Sequence, residues 1–352
     1  MILPGLMRRS GALALLAATL LLGGCGKDPL YTQEGYVFGT RVEISIWGLS
    51  HDKAATHAAA VLADLDRLNA KLHAWQPSEL TRLNARFGRG EPGEADAELI
   101  ALLKQAKDYE ARSDGLFNPA IGGLVTAWGF HRDSFSPVTP DPVTLALLLE
   151  RKPSLADVEF GDGGRVSSRN PGVALDLGGF AKGWALDREA AYLRKNRVYN
   201  ALLNIGGNVL ALGKKGDAPW TIGLQHPRQP RAMATLALRD GEAIGTSGDY
   251  QRYFVKDGRR YSHLIDPRSG SPAQTMQAAT VLAPASREAG AISDVATKPV
   301  FIGGIGSARH YAQRFGVNDV LVVANDGSVY VTPTLQPRLT WLVQPPHLYW
   351  LR

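Results

Sequence analysis

The sequence predicts an α+β fold in one continuous domain, and three observations carry that prediction. Apolar residues make up 45% of its 352 positions, enough to fill a sizeable core. Segments with strand-like alternation and segments with helical spacing are mixed rather than strictly alternating. No internal repeat, low-complexity block or long linker divides the chain.

The elements follow in order. Residues 1–24 read as a signal peptide: Arg8 and Arg9 precede the apolar run Ala12 to Leu22, which is short of the ~20 residues of a membrane span. The single cysteine, Cys25, comes directly after Leu22, Gly23 and Gly24. Leu-small-small-Cys resembles the bacterial lipobox, whose Cys is acylated and becomes the mature N-terminus. An ordinary signal peptide with an incidental Cys is the other reading. The lipobox implies a membrane-anchored periplasmic lipoprotein, lipidated at Cys25, with residues 25–34 as a polar tether. Gly26 stands where Asp would signal inner-membrane retention, which points to the outer membrane.

The folded body is expected over residues 35–332. Tyr36 to Trp47 alternates and is rich in β-branched residues, a strand interrupted at Gly39. His51 to Leu72 is an amphipathic helix, with Ala58, Leu62, Leu65, Leu68 and Leu72 at three- and four-residue spacings. A second helix is predicted from about Glu94 to Arg112. Strands are predicted at Val173–Leu177, Ala201–Ile205, Val209–Leu212, Trp220–Leu224 and Ala232–Leu238. A helix from about Gly179 to Lys195 lies among them. Another runs from near Arg287 towards Phe315, broken around Pro299 and Gly303–Gly306. Asp319 to Val331 is a hairpin turning at Asn325-Asp326-Gly327. Residues 333–352 have no clear period and read as a tail.

Several function classes are excluded. One thiol cannot form an intramolecular disulfide, a Cys₂ or Cys₄ zinc site or a Cys-ligated iron–sulfur cluster. There is no G-x-G-x-x-G after a strand, no Walker A sequence, no His-Glu-x-x-His and no G-x-S-x-G elbow. The net charge of +6 is mild and interspersed, and the densest basic and aromatic patch, Arg259-Arg260-Tyr261, is explained as well by a solvated β-turn as by nucleic-acid binding.

The chemistry sits where polar and glycine residues interrupt apolar strands. Gly115-Leu-Phe-Asn-Pro is the first such segment. In the second, Ala174-Leu-Asp-Leu-Gly-Gly-Phe-Ala-Lys-Gly183, Asp176 closes a strand and Gly178-Gly179 open a helix. A glycine turn feeding a helix N-terminus presents free N–H donors to a phosphate, and Lys182 lies one turn inside; a turn with a capping Asp explains the same residues. Asn204-Ile-Gly-Gly-Asn208 is the third. The last are Gly245-Thr-Ser-Gly-Asp-Tyr250 and Tyr261-Ser-His-Leu-Ile-Asp-Pro-Arg-Ser-Gly270. The latter places His263, Asp266 and Arg268 within six residues, suited to proton transfer or phosphate contact; a plain Pro turn is the alternative for Asp266 to Gly270.

In this order and spacing the segments resemble the ApbE family, the FAD:protein FMN transferases, from about Phe38 to Val331. The resemblance implies a single T-fold-like domain that binds FAD and, with Mg2+, moves FMN to a Thr or Ser of an exported flavoprotein. It places Phe38, Trp75, Phe117, Asn118, Asp176, Lys182, His263 and Ile265 at FAD. Phe38 stands where the family usually has Met, and Asn118 where it has Asp. His263 falls at the position implied for the general base or a phosphate contact. The carbonyl of Gly179, Asp294 and a Thr four residues after it are implied metal ligands, Asp294 also serving catalysis. Here Lys298 occupies that Thr position. Thr297 is adjacent but points about 100° away on an ideal helix, and Pro299 lacks the N–H that would bond one turn back. Either Lys298 places an ammonium where the cation sits, or the helix shifts so that Thr297 serves, or Lys298 is a surface residue with no role. Two other outcomes stay open: an FAD-binding maturation lipoprotein for a respiratory complex with weak transfer, and an FAD pyrophosphatase.

Overall fold

A computed structural model describes residues 30–132 and 134–352; the predicted signal peptide and Cys25 lie outside them. The fold is α+β, built on a nine-stranded sheet whose strands follow one another in chain order. They are β1 (Leu30–Val37), β2 (Thr40–Trp47), β3 (Ala201–Ile205), β4 (Asn208–Leu212), β5 (Ala243–Gly248), β6 (Ala278–Ala283), β7 (Asp319–Val323), β8 (Val329–Val331) and β9 (Leu348–Trp350). All neighbours are antiparallel except β8 and β9.

Both faces of the sheet's centre are covered, which is why β4 and β6 read as apolar runs without alternation. Leu210, Leu212, Val281 and Val320 face a helical layer. Val209, Ala211, Leu282 and Leu321 face a second, three-stranded sheet made of Trp220–Gln225, Ala232–Leu238 and Leu339–Trp341. The helical layer contains α1 (His51–Leu72), α2 (Glu79–Gly88) and α3 (Ala97–Arg112). After α4 (Gly122–Ala127) and α5 (Pro142–Arg151) it resumes with α6 (Ala181–Lys195), α7 (Ala289–Val295), α8 (Thr297–Gly303) and α9 (Ile305–Arg314).

Several expectations need correction. Leu30 to Gly35 pair with Trp47 to Val42, so the end of the predicted tether is a strand, and Phe38-Gly39 is the two-residue turn of a hairpin. Both turn residues have positive φ, 55° and 67°, as a type I′ turn requires. The predicted tail is integrated: Leu339–Trp341 pairs with Leu236–Ala234, Leu348–Trp350 with Val329–Val331, and Leu351 is buried. Its partners are remote in sequence, so no local period announces it. Val173–Leu177 is extended but makes only an isolated bridge, Ala174 to Ile121. Local period does not announce helices α2, α4 and α5, although Ser78 and Thr81 form a capping box and the Asp141 side chain accepts the Thr144 N–H with Pro142 at the start of the helix. Pro299 lies inside α8 and does not break it; the late helix divides at Ala296, whose backbone stays helical, and at Gly304, whose φ is +84° and which lies in the predicted Gly303–Gly306 break.

Candidate active site

A cleft of about 610 Å³ opens between the helical layer, the β1–β2 turn and the segment around His263. It gathers Phe38, Trp75, Phe117, Asn118, Asp176, Gly179, Lys182, His263, Ile265, Asp294 and Lys298. Residues spread over 260 positions meet here because two helices cross almost backbone to backbone. A Cβ on Gly183 of α6 would lie 2.3 Å from the Gly290 carbonyl oxygen of α7, and one on Gly290 would lie 2.4 Å from that of Gly183. Strand β5 comes as close on the other side, where a Cβ on Gly245 would meet the Ser293 carbonyl oxygen at 2.4 Å. Only glycine permits these approaches.

The crossing fixes Asp294. Its Oδ2 accepts the N–H of Gly183 at 3.0 Å, in the first turn of α6, where intrahelical partners are lacking. Its Oδ1 accepts from the Lys298 ammonium, which also donates to the Asp294 carbonyl oxygen at 2.8 Å. Burial alone would raise the Asp294 carboxyl, but Lys298 and Lys182 outweigh it and hold it below its usual range. The Cε of Lys298 lies 3.4 Å from where a Cβ on Gly179 would stand, so the ammonium sits over the Gly178-Gly179 corner. Thr297 is not on the cleft. Its hydroxyl is buried, donating to the Asp294 carbonyl oxygen at 2.6 Å and bonded to the Ser247 hydroxyl at 2.6 Å.

Asp176 accepts the Gly178 N–H at 2.8 Å, closing the glycine turn, and Lys182 donates to the Gly178 carbonyl oxygen at 3.1 Å. Burial raises the Asp176 carboxyl. Asn118 lines the cleft but is tied to its frame, donating to the Pro153 carbonyl oxygen and accepting the Ala120 N–H. Asp266 and Arg268 take the plain reading, an ion pair at 2.8 Å within an exposed turn.

His263 is half-buried in the cleft wall, with Nδ1 3.2 Å from the Arg252 carbonyl oxygen. A carbonyl only accepts, so this contact assigns the proton to Nδ1 and the lone pair to Nε2. Burial and the nearby cations Arg252 and Lys182 press the imidazole down to about 3, so it is neutral at pH 7. Arg252 is the residue that sequence reasoning missed. Its guanidinium lies 5.6 Å from the Trp75 ring centre and 5.1 Å from that of Phe135, a cation held between two aromatics at the mouth. The motif ending at Tyr250 stops two residues short of it, and the Trp75 and Phe135 partners are distant in sequence.

The sequence model of the ApbE family matches residues 38–321. The chain belongs to the ApbE family. It is 32% identical over 312 residues to an FAD:protein FMN transferase of Klebsiella pneumoniae, covering 86% of this chain and 92% of that one. It is 38% identical over 331 residues to one of Rhodobacter capsulatus, covering 93% of this chain; the chain spans 62% of that relative's length. The crystal structure of the ApbE protein of Thermotoga maritima matches with a TM-score of 0.77 at 30% identity, over 88% of this chain and 99% of that one. The flavin transferase ApbE of Vibrio cholerae gives 0.75 at 25% identity, with the same coverage.

The ligand set implied by the ApbE resemblance does not fit a magnesium ion here. Mg2+ demands oxygen donors in near-octahedral array. Both Asp294 carboxylate oxygens and its carbonyl are engaged by N–H donors, the Thr297 hydroxyl is turned away, and an ammonium lies among them. Among the described residues no three His, Cys, Asp or Glu side chains are grouped to hold a metal.

Proposed function

We propose that this chain is an FAD:protein FMN transferase acting on a Thr or Ser hydroxyl of an exported flavoprotein. The observation that carries the reading is one cleft joining an aromatic mouth at Phe38 and Trp75 to a cationic floor at Lys182 and Lys298, with a neutral His263 in its wall. The isoalloxazine packs at the mouth, and the pyrophosphate lies over the Gly178-Gly179 corner. The acceptor oxygen attacks the phosphorus on the FMN side while His263 Nε2 takes the hydroxyl proton. The bond from that phosphorus to the bridging oxygen breaks, and AMP leaves carrying the oxygen. Lys182 and Lys298 stabilise the charge that develops on the phosphoryl oxygens. Burial and, after it, the nearby cations depress His263, and a bound dianion offsets the cations' share and so raises its basicity.

The N-terminal sequence supports an anchored, periplasmic protein, lipidated at Cys25 and leaning to the outer membrane through Gly26. No helix of the described residues is long and apolar enough to cross a membrane. Cys25→Ala is expected to abolish incorporation of labelled fatty acid and release the protein from membranes.

The transfer itself is tested with FAD and a Thr-containing acceptor. Acceptor mass increased by FMN, with AMP released, is the expected outcome. Free FMN and AMP with an unmodified acceptor would make the protein a pyrophosphatase, and bound FAD with neither product would make it a holder of FAD. His263→Gln is expected to slow transfer by about 10²–10⁴-fold while FAD still binds.

A further inference from the structure

We propose that Lys298 is a built-in cation, and that this cleft holds the pyrophosphate of FAD with the Lys298 ammonium in place of a divalent metal. The inference rests on the reading of the cleft as an FAD site and goes beyond it in naming how the dinucleotide's charge is met. Its first support is occupancy. Lys298 lies one turn after Asp294, and its Nζ takes both the Oδ1 and the main-chain carbonyl of that residue. The remaining carboxylate oxygen is spent on the Gly183 N–H. A metal at Asp294 would have to share its oxygens with three N–H groups and stand within a few ångströms of an ammonium, a repulsion that the buried setting strengthens.

The second support is the neighbouring hydroxyl. Thr297 bridges Ser247 and the Asp294 carbonyl inside the core, so bringing it into the cleft would break two buried hydrogen bonds and rotate α8. The third is position. The Lys298 stem passes beside Gly179, so its charge stands over the same glycine corner as Lys182, which anchors to the Gly178 carbonyl from the next turn. Two ammonium groups converge on the place where a phosphate meets the start of α6. Each is a donor-only group that can pair with non-bridging phosphate oxygens.

The test is direct metal and ligand binding by the full-length protein, apart from turnover. Mn2+ is titrated with and without FAD and followed by electron paramagnetic resonance; FAD affinity is measured by flavin fluorescence in EDTA and in millimolar magnesium. The expected result is no protein-bound Mn2+ in either state and FAD affinities in the two media within about threefold. Lys298→Met is expected to weaken FAD binding in EDTA by about tenfold. Because that variant leaves Asp294 alone, the Asp294→Asn, Lys298→Met double variant serves as a charge-balanced second case with the same expectation. Mn2+ bound with or without FAD, an affinity that depends on magnesium, or variants that bind FAD in EDTA as tightly as the parent would overturn the inference. That includes the case in which FAD draws Lys298 away and frees Asp294 for a metal. FAD that fails to bind the parent in either medium overturns the FAD reading itself, and this inference with it.

Discussion

Helix α6 carries charge at two places, and they differ in kind. On its outer side Arg188 joins Asp64, Arg67, Lys71, Glu79, Asp96 and Glu98 in a network linking α1, the start of α2 and the start of α3. At its first turn Lys182 faces the cleft with Lys298, Arg252, Asp176 and Asp294. The outer network has four carboxylates to three cations, each carboxylate paired, and its members are partly solvated; Arg67 is 44% exposed. Burial pushes Asp64 up, but hydrogen bonds from Arg188 and Arg67 prevail and hold it at about 2. At the cleft, among the described residues, Lys182, Lys298 and Arg252 stand beside Asp176 and Asp294, and Asp294 is 2% exposed. A self-satisfied network fastens helices together. One whose ammonium groups line an open cleft can receive an anion, and its buried Asp294–Lys298 pair is costly to disturb.

This contrast can be broken by substitution. Asp294→Ala leaves the Lys298 ammonium without its counter-charge and the Gly183 N–H without its acceptor, and is expected to cost about 3–5 kcal/mol in denaturant unfolding. Gly183→Ala should cost about 2–3 kcal/mol by forcing α6 from α7, reversing the gain that Gly→Ala ordinarily brings to a helix; lost FAD affinity would accompany it. Glu98→Ala in the outer network is expected to cost no more than about 1 kcal/mol. Equal losses for Asp294→Ala and Glu98→Ala would erase the distinction drawn between the two clusters.

The smallest effect is expected at their edge. Glu189, beside Arg188, is buried, and burial with the nearby Asp64 carboxylate pushes it up to about 9; its Oε1 has no hydrogen-bond partner. The native state therefore keeps a proton that the unfolded chain releases near pH 4.5, so this stability is present below that pH and is lost as pH rises towards 9. Glu189→Gln removes the titration. Its melting temperature should fall less than the parent's between pH 5 and 9. Parallel decline of the two proteins would show that Glu189 does not titrate in that window.

Much of this was legible in the chain. His51–Leu72 is one helix as its spacing requires, Asp319–Val331 is the predicted hairpin, and the Gly-interrupted segments do converge on one cleft. Such features rest on local period and on turn residues whose backbone freedom is written in their identity. What the sequence by itself determined, then, is the long helices and most central strands, the motifs and the presence of Lys298 where the ApbE pattern has Thr. What only the tertiary structure decided is what those residues touch. Leu339–Trp341 and Leu348–Trp350 enter sheets through partners far along the chain. Arg252 meets Trp75 and Phe135 across the mouth. The Gly183–Gly290 crossing sets Asp294 under α6, turns Thr297 into the core and leaves Lys298 in the cleft. Sequence spacing fixes which side chains share a face, but the pairing of remote backbones fixes which of them meet, and the charge at this site depends on the second.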